Sequence, residues 1–250
     1  MHKIIAICVV WIFCSVPAWA LVEIEGFFWL MKPEGQASVG NYGLEGTKID
    51  LENDFGYGDI ETVPGVLIIM GNTHQFGLSI FKLAASARNS INRTIYFGGE
   101  EFTINENISS SIEMTVMQGL YRFNIGPEAF HGGLMIGGEY LAIEMQAAPG
   151  RSEPVKADAD TGLLFFGGFV ESDPFSFLRL RASLLGGTWE ISDVEADYLE
   201  LEVSVLARIT PQFHIGAGYR QINIDAKVKS LPLEIDLAFK GPTLFIGFEW

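Results

Sequence analysis

The sequence predicts an all-β fold, an antiparallel up-and-down transmembrane β-barrel. Residues 241–250 alternate apolar with small or polar side chains, and successive side chains of a strand point to opposite faces. Similar runs recur along the chain, separated alternately by short turns and long polar loops. Although 48% of residues are hydrophobic, no segment after residue 20 is a continuous apolar run of helix length. Alternating strands of a membrane barrel hide their hydrophobicity in this way.

Residues 1–20 have the features of a cleaved signal peptide. A positive start at Met1–Lys3 precedes an apolar stretch, Ile4–Val16, and small residues in Pro17–Ala20 precede a predicted cleavage after Ala20. The apolar stretch is shorter than the roughly 20 residues that a membrane-spanning helix needs. We therefore predict a signal peptide over 1–20 and a barrel over 21–250.

Both cysteines, Cys8 and Cys14, lie in the predicted signal peptide. The mature chain is therefore predicted to have no disulfide, thiol nucleophile or cysteine metal site. Phe13 is too large for the position before a lipid-modified cysteine, so a lipoprotein is not favoured. Closed barrels pair all their strand edges and need no covalent crosslink.

We predict ten strands, with eight or twelve as alternatives because 226–239 could hold additional strand outside the membrane. The ranges are Leu21–Met31, Thr62–Gly71, Thr73–Ala87, Asn107–Asn124, Gly132–Gln146, Thr161–Val170, Phe175–Glu190, Asp197–Ile209, Gln212–Asp225 and a tenth strand that ends at Trp250. Turn-forming residues mark four tight turns, at Gly71–Asn72, Ile125–Glu128, Glu171–Pro174 and Thr210–Pro211.

The alternation predicts which side chains face lipid and which face the barrel interior. From Leu199 to Ile209 every second residue is apolar, and polar residues occupy most of the intervening positions. The predicted lumen charges are Glu113, Arg179, Arg181, Glu200, Glu202 and Arg208, with Arg122, Glu139 and Arg220 as further candidates. An unpaired buried charge costs several kcal/mol, so we expect these groups to pair as a plug. A barrel of about eight strands is filled by its own side chains, whereas aqueous porins have about sixteen strands.

The alternative fold is a soluble periplasmic barrel of lipocalin size. It would place apolar side chains inside and charges outside, the reverse of the assignment above. The final aromatic Trp250 and the aromatic run Phe27–Trp29 favour the membrane barrel.

The charge distribution favours some partners and excludes others. The chain has 31 acidic and 16 basic residues and a net charge of −15, which excludes nucleic acid as a partner. With both termini periplasmic, the long loops are extracellular, and Lys32–Glu61 is the longest of them. The acidic residues of the predicted outer loops are Asp50, Glu52, Asp54, Asp59, Glu100, Glu101, Asp158, Asp160, Asp193, Glu195 and Asp197.

The acidic outer loops suggest divalent cations as partners, since oxygen ligands suit calcium and magnesium. Asp50, Glu52 and Asp54 are weak metal candidates. Their segment lacks the glycine and the terminal glutamate of a calcium-binding loop, and a solvated acidic loop is the alternative. We predict no cofactor.

The chain resembles, over residues 21–250, the small outer-membrane β-barrel proteins of Gram-negative bacteria. The resemblance rests on the signal peptide, the alternating strands, the turn and loop asymmetry, and the aromatic end at Phe248 and Trp250, which is similar to the signal that the barrel-insertion machinery recognises. It implies a location in the bacterial outer membrane, with that machinery, membrane lipid and lipopolysaccharide as partners.

The expected function is a structural, adhesive or ligand-contacting role through the acidic loops, without enzymatic activity. The alternatives are a narrow channel or transporter for a small solute, and an outer-leaflet lipid-modifying enzyme or protease. A hydrolase needs a base within reach of its nucleophile or water. The histidines His74, His131 and His214 all lie beside predicted periplasmic turns, whereas barrel enzymes of this class act at or beyond the outer leaflet.

Overall fold

The computed structural model describes residues 21–40, 46–127, 129–149, 154–191, 194–228 and 233–250. The predicted signal peptide, with Cys8 and Cys14, lies outside the described residues, as do Glu128 of the second predicted turn and Asp193 of an outer loop. Among the residues described, no helix is long and apolar enough to cross a membrane.

The described residues form a closed antiparallel barrel of ten long strands. The strands are β1 (Val22–Val39), β2 (Ile49–Asp50), β3 (Glu61–Gly71), β4 (His74–Ser90), β5 (Ile95–Phe97), β6 (Glu100–Phe102), β7 (Asn107–Ile125), β8 (Phe130–Pro149), β9 (Val155–Phe175), β10 (Leu178–Ile191), β11 (Val194–Arg208), β12 (Phe213–Val228) and β13 (Leu233–Glu249). Each long strand pairs with the next in chain order, and β13 pairs with β1 to close the ring. The short strands β2, β5 and β6 lie within the loops. The predicted fold class and strand count are confirmed.

Several strands run further than the sequence predicts. β1 continues to Val39, eight residues past Met31, because its upper part pairs with the beginning of β13. β9 continues through the predicted turn at Glu171–Pro174 as far as Phe175. The register between β9 and β10 then shifts between Leu178 and Leu180. The barrel is therefore taller than a membrane-spanning segment of about ten residues per strand requires.

An apolar belt surrounds the end of the barrel that carries the short turns, which we call the turn end. In β13, Leu244, Ile246 and Phe248 are exposed while Thr243 and Phe245 are buried, as the alternation predicts. The exposed belt residues include Phe28, Val66, Phe76, Leu78, Ile80, Met117, Leu134, Ile136, Leu164, Phe166, Leu180, Leu184, Leu199, Leu201, Val203, Val205, Ile215, Leu244, Ile246 and Phe248. This orientation is that of a membrane barrel rather than of the soluble alternative.

Toward the opposite end, the loop end, the pattern inverts. In β7 the inward residues become apolar, with Ile112 and Met114 fully buried. Glu113 between them points outward and forms an ion pair with Lys82, Nζ to Oε2 2.6 Å. The prediction of Glu113 as a lumen charge is therefore wrong. Its strand has left the belt at this height, so water is outside and the apolar residues turn inward, as in a soluble barrel.

Inward glycines make room for large rings on neighbouring strands. Gly65 is paired with Phe27, Gly137 with Phe165, and Gly247 with His214. A Cβ atom on Gly65 would lie 2.1 Å from the Phe27 ring, and one on Gly247 would lie 2.3 Å from His214 Nε2. These glycines let the rings lie flat against the barrel wall, in the manner of aromatic rescue across strands.

Candidate functional site

Charged side chains fill the interior at the turn end. Arg181 donates from Nη2 to both carboxylate oxygens of Glu25, each at 2.9 Å, and from Nε to Ser204 Oγ at 3.3 Å. His214 Nε2 lies 3.1 Å from Glu25 Oε2. Glu25 is 1% exposed, so this pairing offsets the cost of burying its charge. We call the turn-end charges the floor network, and its members are Glu23, Glu25, Arg122, Glu171, Asp173, Arg179, Arg181, Arg208, His214 and Glu249.

Other members of the floor network are also paired. Arg179 contacts Asp173 at 3.2 Å and Glu249 at 3.1 Å, and Arg208 contacts Asp173 at 2.7 Å. Arg122 donates to Glu171, and its guanidinium carbon lies 3.9 Å from the centre of the Phe169 ring. These charged hydrogen bonds link β1, β7 and the strands from β9 to β13, and they form a rigid floor.

A second polar cluster lies above the floor network around Arg220. Arg220 Nη2 contacts Glu200 Oε1 at 2.7 Å, and Tyr198 donates to Glu200 Oε2 at 2.5 Å. The Arg220 guanidinium also lies about 5 Å from the ring centres of Phe27, Trp29 and Phe81, at 5.4, 5.4 and 4.9 Å. Cation–π contact of this kind stabilises a buried guanidinium. Arg220 therefore joins the polar interior to the apolar interior above it.

A cavity of about 90 Å³ remains between these layers. Arg122, Arg181, Arg220 and Glu200 are among its lining residues. In the described residues, Nε of Arg122 and Nε of Arg220 have no hydrogen-bond partner. A cavity of this size has room for a few water molecules.

Two loops close the loop end. We call this element the cap, and define it as residues 49–57 between β1 and β3, and residues 91–102 between β4 and β7. Eight of its large apolar side chains are buried together with inward residues of the barrel strands, and they are Ile49, Leu51, Phe55, Tyr57, Ile91, Ile95, Phe97 and Phe102. Burial raises the pKa of Tyr57 to about 12. The cap is thus continuous with the barrel core.

A bidentate ion pair locks the two loops of the cap together. Arg93 donates to Asp54 at 3.2 Å from Nε and 2.6 Å from Nη2, and to the carbonyl of Lys48 at 2.6 Å. Burial opposes ionisation of Asp54, but the hydrogen bonds from Arg93 and from the Asp50 backbone outweigh it and lower the pKa of Asp54. We call this pair the latch.

The β5–β6 hairpin reaches across the mouth of the barrel. The amide of Gly98, at its turn, donates to the carbonyl of Val39 at the end of β1. A Cβ atom on Gly98 would lie 2.4 Å from the side chain of Val155 at the start of β9. Because β9 lies halfway round the ring from β1, the hairpin bridges opposite walls.

The predicted metal candidates have protein partners. Asp50 accepts hydrogen bonds from the backbone of Glu52 and Asn53 at 3.0 and 2.8 Å. Glu52 pairs with Lys32 at 2.9 Å, and Asp54 belongs to the latch. The structure therefore gives these three carboxylates roles within the cap and does not bring them together as a ligand set.

Three other carboxylates come together on the outer surface above the belt. Asp197, Asp225 and Asp236 lie side by side on β11, β12 and β13, in direct register. Burial and the charges of Asp236 and Asp197 raise the pKa of Asp225. The three residues line a surface pocket of about 300 Å³. We call them the acidic row.

The sequence identifies most lumen charges on the strands from β7 to β12 but not those on the first strand, β1. Arg179, Arg181, Glu200, Glu202 and Arg208 lie inside, as do Arg122, Glu139 and Arg220. Sequence reasoning missed Glu23 and Glu25 of the floor network, although both share a face of β1 with Phe27 and Trp29, so the same alternation could have found them. It also missed Arg93, which no local pattern marks. His74, His131 and His214 all lie at the turn end.

Comparisons with known proteins support the fold. No protein-family model matches, and no curated protein matches. The outer membrane protease OmpT from Escherichia coli has a similar structure, with a TM-score of 0.60 and 9% identity over 92% of this chain and 97% of that one. Ail of Yersinia pestis matches with a TM-score of 0.38 and 9% identity over 92% of this chain and 99% of that one. Neisserial surface protein A matches with a TM-score of 0.31 and 11% identity over 92% of this chain and 95% of that one. The match to OmpT shows that the chain has an outer-membrane β-barrel fold.

Proposed function

We propose that this chain is a closed outer-membrane barrel that acts through its extracellular surface, in a structural, adhesive or ligand-contacting role. Its location would be the bacterial outer membrane, reached after cleavage of a signal peptide at Ala20. The apolar belt around the turn end supports this location, as do the aromatics Phe248 and Trp250 at the end of the last strand.

The observation that carries the proposal is the filled interior. From the turn end upward, a solute would meet the floor network, the Arg220 cluster, the apolar core and the cap. Opening a path would separate buried ion pairs, and removing one partner of such a pair costs about 3 to 5 kcal/mol. A resting channel or transporter is therefore not the function that the geometry favours.

The outer surface supports the contact role. Polar and acidic side chains cover the strands above the belt, including the acidic row and the exposed Lys82–Glu113 pair. Divalent cations would bridge such carboxylates to phosphate groups of lipopolysaccharide, because hard cations prefer oxygen ligands. Lipopolysaccharide and membrane lipid are therefore the proposed partners, and the barrel-insertion machinery would act during assembly.

Single-channel recording tests the closed barrel. The protein is inserted in a planar bilayer beside the double variant Arg179→Ala, Arg181→Ala and the control Lys82→Ala, which changes only an outward pair. We expect no conductance steps from the wild type or the control. Reproducible steps from the wild type would overturn the proposal in favour of a narrow channel.

A second candidate function has one observation in its favour. The acidic row places the Asp225 and Asp236 carboxylates next to each other above the belt, where an outer-leaflet lipid-modifying enzyme or protease would act. The histidines described are at the other end, so such an enzyme would use carboxylates alone. Mass spectrometry of lipid A, and cleavage of a peptide library, should give identical results for cells with the wild type and with Asp225→Asn, Asp236→Asn. A product found only with the wild type would favour the enzyme.

A further inference from the structure

Three potential metal ligands meet at the turn end, beside the seam where β1 and β13 close the barrel. Glu23 is on β1, Glu249 is on β13 and His214 is on the adjacent β12. One carboxylate oxygen from each glutamate and one imidazole nitrogen lie within 4.8 Å of one another. Glu23 and His214 are buried, 6% and 3% exposed.

The strand register creates this arrangement. Glu23 and Glu249 are direct cross-strand partners, and like charges in that relation destabilise a sheet. His214 is opposite Gly247, whose missing side chain leaves the space that the ring occupies. The imidazole is thus held beside two carboxylates by the shape of the wall, which is the preorganisation that a ligand set requires.

Nearby arginines neutralise these carboxylates unequally. Arg181 makes its 2.9 Å contacts with Glu25, while its distance to Glu23 Oε1 is 3.5 Å. His214 Nε2 lies 3.6 Å from the same Glu23 oxygen. Both distances exceed the 2.7 to 3.2 Å of an ordinary N–H···O bond, as a rough guide. A buried carboxylate without a close donor is costly, so Glu23 is the member of the floor network with most to gain from a cation.

We propose that Glu23, His214 and Glu249 bind one divalent transition-metal ion of the zinc class. An imidazole with two carboxylates suits zinc and its neighbours, whereas calcium and magnesium take oxygen ligands. Three protein ligands leave the fourth position to water. Ligands of a tetrahedral zinc ion are about 3.4 Å apart, given bonds of about 2.1 Å. Small side-chain movements therefore complete the site, in which His214 Nε2 exchanges its 3.1 Å contact with Glu25 for the ion and Glu249 turns from its 3.1 Å contact with Arg179. Arg181 keeps its two bonds to Glu25.

The ion would join the first strand to the last two across the closing seam. This inference goes beyond the proposed surface role, and it does not depend on it. The predicted consequence is a barrel whose resistance to unfolding rises with zinc, because an ion that binds only the folded state stabilises it by mass action.

Titration with Co²⁺ tests the site, because cobalt bound to nitrogen and oxygen ligands absorbs visible light. The full barrel, purified from outer membranes in detergent and treated with a chelator, is titrated with Co²⁺ and then with Zn²⁺. We expect one Co²⁺ per chain, displaced by Zn²⁺, and a zinc-dependent rise in the unfolding temperature. His214→Ala and Glu249→Gln should each weaken Co²⁺ binding at least tenfold.

The matched control is His74→Ala. His74 is at the same end of the barrel but on the outside, where its Nδ1 lies 2.6 Å from the Tyr121 hydroxyl. This variant should bind Co²⁺ as the wild type does. If His214→Ala does not fold, Glu249→Gln decides the question, because Glu249 is at the partly exposed rim. Absence of binding by the wild type, or equal binding by the wild type and the Glu249 variant, would overturn the proposal.

Discussion

Replacing Arg181 by methionine should destabilise the barrel strongly. Methionine keeps the unbranched stem but lacks the guanidinium group, so Glu25 would remain buried with His214 as its nearest partner. Removing one member of a buried ion pair costs about 3 to 5 kcal/mol. Two 2.9 Å bonds to Glu25 and 10% exposure of the arginine side chain place Arg181 within that class. Lys82→Met is the matched control. It breaks an ion pair whose side chains are 59% and 47% exposed, and such pairs contribute at most about 1 kcal/mol.

The assay is guanidinium chloride unfolding of the protein in lipid vesicles, followed by tryptophan fluorescence. Trp29, which is fully buried, reports loss of the interior. Glu25→Gln completes a double-mutant cycle with Arg181→Met. Because the double variant leaves neither charge of the pair, its loss should be smaller than the sum of the two single losses by about 2 kcal/mol. Additive losses, or an equal loss in Lys82→Met, would refute the role assigned to the floor network.

Three further results are expected. Arg93→Ala should lower the hydrogen-exchange protection factors of residues 49–57 and 91–102 more than Asp54→Asn does, since it leaves Asp54 buried without its partner. The pKa of Asp54 is lowered in the folded state, so the latch should be complete above about pH 4, the range of a free aspartate, and weaken as pH falls through the lower folded value. Equal protection factors at pH 7 and pH 2, each corrected for the intrinsic exchange rate, would contradict this. Gly65→Ala should cost about 1 to 3 kcal/mol by crowding Phe27, whereas Gly162→Ala, where a Cβ has open space, should leave the unfolding midpoint unchanged. A membrane-impermeant maleimide should label Glu113→Cys on intact cells but not Arg181→Cys. The reverse labelling would show that Glu113 faces the interior and Arg181 the outside.

The strands at the turn end could be predicted from the sequence, because contact with lipid imposes a strict alternation of apolar and polar side chains. From Leu199 to Ala207 in β11 and from Pro242 to Phe248 in β13, apolar residues occupy every outward position, and this pattern suffices for strand, face and fold class. The same rule fails for Glu113. Above the belt water replaces lipid, so the apolar residues take the inward positions and the polar residues the outward ones, while the two-residue spacing stays the same. Nothing in the residues near Glu113 marks the height at which this happens.

The cap and the metal site depend on distant pairings that a single sequence does not encode locally. Asp54 and Arg93 are on different loops, and each alone looks like a solvated charge. Glu23 and Glu249 come together only because the ring closes in one register. The sequence showed that lumen charges should pair, but their partners follow from the order of strands around the barrel.

The crossing of the mouth by the β5–β6 hairpin has a consequence for variation in this chain. A wall-to-wall contact through Gly98 fixes the width of the opening, so changes of length in residues 91–102 would push β1 and β9 apart or leave a gap between them. Insertions and deletions should therefore be selected against in the hairpin, and a library of random insertions would display this.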